Sequence, residues 1–103
     1  LRTGGVPTSG RIGLIGSDGS PAAYQRIKSG AYELGTIPEP AALQGWQAID
    51  EMNRAIKGVP PSGFVQPLHI ITKDNVGTDI NADGIYEPKV DYRAEYAKVW
   101  GLQ

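Results

Sequence analysis

Proline and glycine set the limits on what this chain can fold into. The 103 residues include 8 prolines and 14 glycines, so regular elements must be short and lie between these breaks. Arg11 to Gly16 (RIGLIG) is an apolar, β-branched run bounded by Gly10 and Gly16, and it predicts a strand. Ser17, Asp18 and Gly19 supply the turn after it. Ser20 and Pro21 then start a helix, with a hydroxyl cap followed by proline at the first helical position. That helix runs to about Ser29, where Gly30 stops it. Ala31 to Ile37 predicts a second strand, weakened by Gly35 and broken by Pro38-Glu39-Pro40.

The longest element expected is a helix from Ala41 to Lys57. Helical spacing gathers Ala41, Ala42, Gly45, Ala48, Ile49, Met52, Ala55 and Ile56 on one side, and Gln44, Gln47, Asp50, Glu51, Arg54 and Lys57 on the other. An apolar side of small residues predicts close packing against a sheet or a second helix. Gly58 ends the helix, and Pro60-Pro61 prevent its extension. Phe64 to Thr72 is a third extended stretch, and Pro67 makes it an edge strand or a crossing connection. Asp74 to Asp91 is turn-rich. Tyr92 to Trp100 predicts a last short helix with Tyr92, Tyr96, Val99 and Trp100 on one side. Strand and helix thus alternate three times, which predicts an α/β fold with a largely parallel sheet.

Composition narrows the function. Ten Lys and Arg against 11 Asp and Glu give a net charge of −1, so no basic surface points to nucleic acid. No cysteine is present, which removes disulfides, thiol nucleophiles and cysteine-ligated metal sites. Leu1-Arg2-Thr3-Gly4-Gly5 reads as the last turn of a helix with its glycine stop. We therefore expect the chain to be a piece of something longer or a processed product.

Three pieces in this order carry a resemblance. They are Ile15 to Pro21 (IGSDGSP), Gly35 to Pro40 (GTIPEP) followed by Gln44 to Asp50 (QGWQAID), and Ile71 to Val76 (ITKDNV). The chain resembles the type 1 periplasmic sugar-binding proteins, the ribose-binding-like group that serves ABC importers. The tail from Gly84-Ile85-Tyr86-Glu87-Pro88 to Tyr92, Tyr96 and Trp100-Gly101 is similar to the ending of some members. The resemblance implies the C-terminal part of a two-lobe fold, with parallel sheets flanked by helices and three crossings between lobes. Full-length members are roughly two to three times longer than this chain. On this reading residues 1–37 form a strand-helix-strand of the C-terminal lobe. Residues 38–66 form a hinge crossing and a helix of the N-terminal lobe, and 67–103 a return crossing and tail. Such a set cannot close a core alone, so a partner fragment or an incomplete, sticky fold is expected.

The resemblance also implies a ligand site. Asp18 matches the family's sugar-binding aspartate at a strand end, where α/β sheets place their ligands, and a carboxylate can accept from two sugar hydroxyls. The competing reading is that Asp18 only shapes the turn. Glu39 matches a polar position at the end of the hinge strand that often carries Gln in the family. Its flanking prolines depart from the pattern; they either stiffen the hinge or displace the side chain. An acid near a helix N-terminus is also favourable by itself. Trp46 borders the apolar side of its helix and is read as packing.

Asp79, Asn81, Asp83 and Gly84 follow the first half of an EF-hand-type calcium loop. Val90 stands where the bidentate acid belongs, so a polar turn is the preferred reading over a metal site. His69, the single histidine, makes no zinc site alone. A serine-histidine-aspartate triad with Ser17 or Ser20 lacks the nucleophile-elbow pattern, and Gly13, Gly16 and Gly19 do not form a dinucleotide fingerprint. The expected function is therefore non-enzymatic. It is a periplasmic solute-binding component with no cofactor, taking a small sugar or polyol and presenting it to the membrane permease of an ABC importer. The alternative is the effector-binding core of a sugar-responsive transcription repressor, which shares the fold.

Overall fold

The computed structural model describes residues 1–10 and 12–102. Arg11, expected to begin the first strand, and Gln103 lie outside the described residues. Six elements follow one another: β1 (Leu14–Asp18), α1 (Pro21–Ser29), β2 (Glu33–Pro38), α2 (Ala41–Ile56), β3 (Ile71–Thr72) and α3 (Tyr92–Val99). The α/β character expected from the alternation is present. No helix among the described residues is long and apolar enough to cross a membrane.

Local chemistry sets α1 closely. The Ser20 hydroxyl accepts from the Ala23 amide at 3.1 Å, Pro21 follows, and Gly30 ends the helix at φ 71°. Its inward residues are Ala23, Tyr24 and Ile27. The first strand is shifted relative to its expected bounds and passes through Gly16. That glycine does not stop the strand; a Cβ there would stand 2.7 Å from Glu33 Oε1. Glycine is needed where a neighbouring group comes this close.

The sheet runs in the order β1-β2-β3. β1 and β2 are parallel, with Asp18 opposite Pro38. β2 and β3 are antiparallel, with Gly35 opposite Thr72 and Thr36 opposite Ile71. This corrects the expectation of a largely parallel sheet. Of the stretch from Phe64 to Thr72, only the last two residues pair, and Pro67 lies outside any strand. Gly35 is the reason β3 can dock, since a Cβ at that position would lie 2.9 Å from the Ile71 carbonyl oxygen. Read as a weakness of the strand, it is the point of closest backbone approach.

The chain divides into two compact units. One comprises Leu1–Glu39 and Leu68–Tyr86; the other comprises Pro40–Pro67 and the chain from Glu87 onward. The chain passes from one to the other after Glu39, after Pro67 and after Tyr86. In the sheet unit, Tyr24, Ile27, Ile71 and Val76 form the core, with Ile80 and Tyr86 against it. Leu14, Ile15 and Leu34 of its strands remain exposed.

In the helical unit α2 and α3 pack together, and here the expected face of α2 is wrong. Ala41, Gly45, Ala48, Ile49, Met52, Ala55 and Ile56 are exposed, whereas Leu43 and Asp50 are buried and Trp46, Gln47 and Arg54 half-buried. The aromatic residues decide this. Trp46 stacks on Trp100 with centroids 5.2 Å apart and planes 5° apart, and also meets Tyr96 and Tyr92. Two indoles and two phenols bury more apolar area than a row of alanines. Of the face expected for α3, Tyr92 is buried while Val99 is exposed.

Candidate functional site

The carboxyl ends of the parallel pair bring the two carboxylates expected to bind a ligand onto neighbouring backbone positions. Asp18 ends β1, and Glu39 directly follows β2. The Glu39 amide donates to the Asp18 carbonyl at 3.0 Å, which continues the ladder one step past the last strand pair. Both residues are exposed. The Ser17 hydroxyl donates to Asp18 Oδ1 at 2.9 Å.

The backbone at this point is unusual. Asp18 adopts φ 71° and Gly19 φ 70°, so two successive left-handed residues turn the chain out of the sheet. Glycine occupies that region freely and aspartate at a cost of about 1 kcal/mol. A glycine at 18 would make the same turn without that cost, so shaping the turn does not by itself account for the carboxylate. Beneath the turn lies Tyr24 of α1, a residue that the sequence reading passed over. Glu39 immediately precedes Pro40, from which α2 starts with no side-chain cap hydrogen bond among the described residues.

A cavity of about 330 Å³ opens elsewhere in the same unit. Leu1, Arg2, Leu14, Arg26, Ala31, Tyr32 and Glu33 line it, at the amino ends of the strands and so at the opposite end from Asp18. The Arg26 guanidinium donates to Glu33 Oε2 at 2.5 Å, and the Tyr32 hydroxyl donates to the Val6 carbonyl. Arg26, Glu33 and Tyr32 are thus engaged within the protein, whereas Asp18 and Glu39 at the strand ends are exposed.

The residues that follow the first half of a calcium loop, read as a polar turn in preference to a metal site, are engaged within the chain. Asp79 Oδ2 lies 2.9 Å from His69 Nε2, and the Asn81 amide oxygen accepts from the amides of Asp83 at 3.0 Å and Ile85 at 2.9 Å. Asp83 is exposed. Gly84, at φ 73°, packs against the Pro21 ring. Among the described residues, no group of three His, Cys, Asp or Glu side chains converges to hold a metal ion. His69 also stacks on Tyr86, with centroids 5.0 Å and planes 7° apart, so it fastens the Asn81 turn as a structural histidine.

The helical unit contains a buried charge that the sequence reading had placed on a solvated face. Asp50 is 5% exposed. It accepts from Arg54 Nε at 2.7 Å and from the Trp100 indole N–H at 2.8 Å. The Arg54 bond, and then the Trp100 bond, hold its carboxyl below the usual carboxylate range. Glu87 is held down in the same way, first by Arg93 and then by the Tyr92 hydroxyl. The available signal was the i, i+4 spacing of Asp50 and Arg54, which also fits an ordinary surface pair.

Compared with known proteins, the chain matches no family model, no curated protein and no solved structure.

Proposed function

We propose that this chain belongs to a solute-binding protein of an importer, and that Asp18 is its principal contact with a small sugar or polyol. The observation that carries the reading is the strand-end geometry. Asp18 and Glu39 stand on adjacent, hydrogen-bonded backbone positions at the carboxyl end of a parallel strand pair, the place where sheets of this type receive ligands. The left-handed backbone of Asp18 adds to it, because strain held at an exposed carboxylate points to function.

Two further observations support the reading. The chain divides into two compact units and passes between them three times, in keeping with a protein built from two lobes. Both units also leave apolar residues uncovered: Ile15 and Leu34 on the strands, Ile49, Met52 and Ile56 on α2. Clustered apolar exposure of this kind marks surfaces meant to be covered, and the remaining part of the same binding protein is the partner this reading supplies. The membrane permease of an ABC importer is the partner downstream of binding, and the periplasm is the compartment.

Titration calorimetry on the intact protein tests the site. The variant Asp18→Gly suits the left-handed backbone and is expected to fold at least as stably as the parent. Its affinity for the solute is expected to fall roughly a hundredfold or more, the loss of two hydrogen bonds to a charged group at about 1.5–3 kcal/mol each. Unchanged affinity in a folded Asp18→Gly variant would refute the assignment.

A further inference from the structure

The cavity at the amino ends of β1 and β2 plays no part in the Asp18 reading. At about 330 Å³ it falls near the lower end of the range for small-molecule pockets, about 300–1,000 Å³. It opens to solvent between residues that are themselves exposed, among them Arg2, Leu14 and Arg26. Leu1, Leu14, Ala31 and Tyr32 give it apolar surface. Two arginines, Arg2 and Arg26, face one acid, Glu33, so the side chains of the lining carry one positive charge in excess.

Arg26 is held in place from below. Glu33 is 8% exposed, and its Oε2 accepts from Arg26 Nε at 2.5 Å. A carboxylate anchored that deeply fixes the guanidinium through Nε alone. The two terminal amino groups of Arg26 have no hydrogen-bond partner among the described residues, and neither has the Arg2 side chain. Tyr32 closes the wall in a costly conformation. Its backbone stands at φ 39°, where a bulky residue is an outlier. Its carbonyl accepts from the Leu14 amide at 2.8 Å, and its hydroxyl donates to the Val6 carbonyl. The Val6 amide in turn donates to the Leu1 carbonyl at 3.1 Å. One strained residue thus ties β1 to the turn that carries Leu1 and Arg2, and strain kept at a pocket wall points to function.

We propose that this cavity is a second binding site, for a small monocarboxylate with an apolar body. It stands independently of the Asp18 reading. A guanidinium engaged at Nε still offers a parallel pair of terminal N–H donors, the geometry that receives both oxygens of a carboxylate. One excess positive charge balances one negative charge. The apolar wall takes the rest of the molecule out of water. A bare inorganic anion would lose hydration there and gain nothing from that wall.

Titration calorimetry on the intact protein tests the site. The probes are phenylacetate, benzoate and 4-methylpentanoate, each set against the alcohol of the same carbon skeleton, with inorganic phosphate as the bare anion. The best carboxylate is expected to bind at least roughly tenfold tighter than its alcohol and than phosphate. Arg26→Lys keeps a cation beside Glu33 but loses the fork, and is expected to weaken that carboxylate roughly tenfold. Arg2→Gln removes an exposed charge that has no partner in the free protein. It is expected to weaken binding about threefold and to leave the ligand-free thermal midpoint unchanged. Should Arg26→Lys fail to fold, Arg2→Gln decides alone. If no carboxylate bound the parent protein, or if affinity survived the substitutions unchanged, the site would be refuted. An alcohol that matched its carboxylate, or phosphate that bound more tightly, would overturn the ligand class.

Discussion

In the sheet unit, side chains from α1, from β3 and from the turns after β3 meet in an aliphatic core with one tyrosine. In the helical unit the buried positions include Leu43, Tyr92 and the charged Asp50, and the packing is a stack of aromatic rings. The first core depends on apolar area removed from water, which is insensitive to pH. The second depends in part on an ion pair and an indole hydrogen bond converging on one carboxylate, which titrates. The two cores can therefore fail under different conditions, and the chain offers separate ways to provoke each.

The largest expected effect is in the sheet unit. Ile27 is 1% exposed, and Ile27→Ala is expected to cost about 3 kcal/mol in a denaturant titration, within the range for a buried aliphatic truncated to alanine. Asp50→Ala is expected to cost about 2 kcal/mol. That figure is kept low because Arg54 is partly solvated and can recover water. A cost for Asp50→Ala above that of Ile27→Ala would reverse the comparison.

Acid separates the units next. Asp50 and Glu87 have folded pKa values below their unfolded ones. Their stabilising contribution is complete above the unfolded carboxylate pKa and is lost as pH falls through the depressed folded values. Both tryptophans, Trp46 and Trp100, lie in the helical unit, so their fluorescence reports on it. It is expected to change on acidification below the normal carboxylate range, and Asp50→Asn is expected to flatten that dependence. A fluorescence transition identical in the parent and in Asp50→Asn would break the link between the carboxylate and the aromatic stack.

Smaller effects sharpen the contrast. Thr36 is fully buried in β2, and its hydroxyl has no partner among the described residues. Replacing an unpaired buried hydroxyl with a methyl removes a desolvation cost, so Thr36→Val is expected to raise stability by about 1 kcal/mol in the same denaturant titration. Ile56 is 81% exposed on α2, and Ile56→Gln is expected to change the stability of the 103-residue chain by no more than about 0.5 kcal/mol. A large loss there would mean that the aliphatic face of α2 is covered after all.

What could be read from the sequence was local. The Ser20 cap, Pro21 and Gly30 specify α1 within a dozen residues, and the structure agrees to the residue. The ends of α2 were equally legible, because Pro40 and Gly58 act at short range. Its buried face was not. Periodicity ranks residues by polarity alone, and Asp50 is inward only because Arg54, one turn along, pairs with it and Trp100, brought in by folding, donates an indole hydrogen bond to it. The direction of β3 was hidden for the same reason: two residues carry the pairing, and Gly35 signals a close approach without naming what approaches. At the candidate site Asp18 was legible as a strand-end carboxylate. Its hydrogen-bonded adjacency to Glu39 required the register of β1 against β2.

The carboxylate of residue 18 can be watched directly. In the intact protein with side-chain carboxyl carbons labelled, the Asp18 resonance is expected to shift on addition of whichever probe polyol binds, and to follow the same saturation curve as calorimetric heat. A resonance that stays in place while the solute saturates the protein would contradict the account, since the sugar would then be held somewhere other than the end of β1.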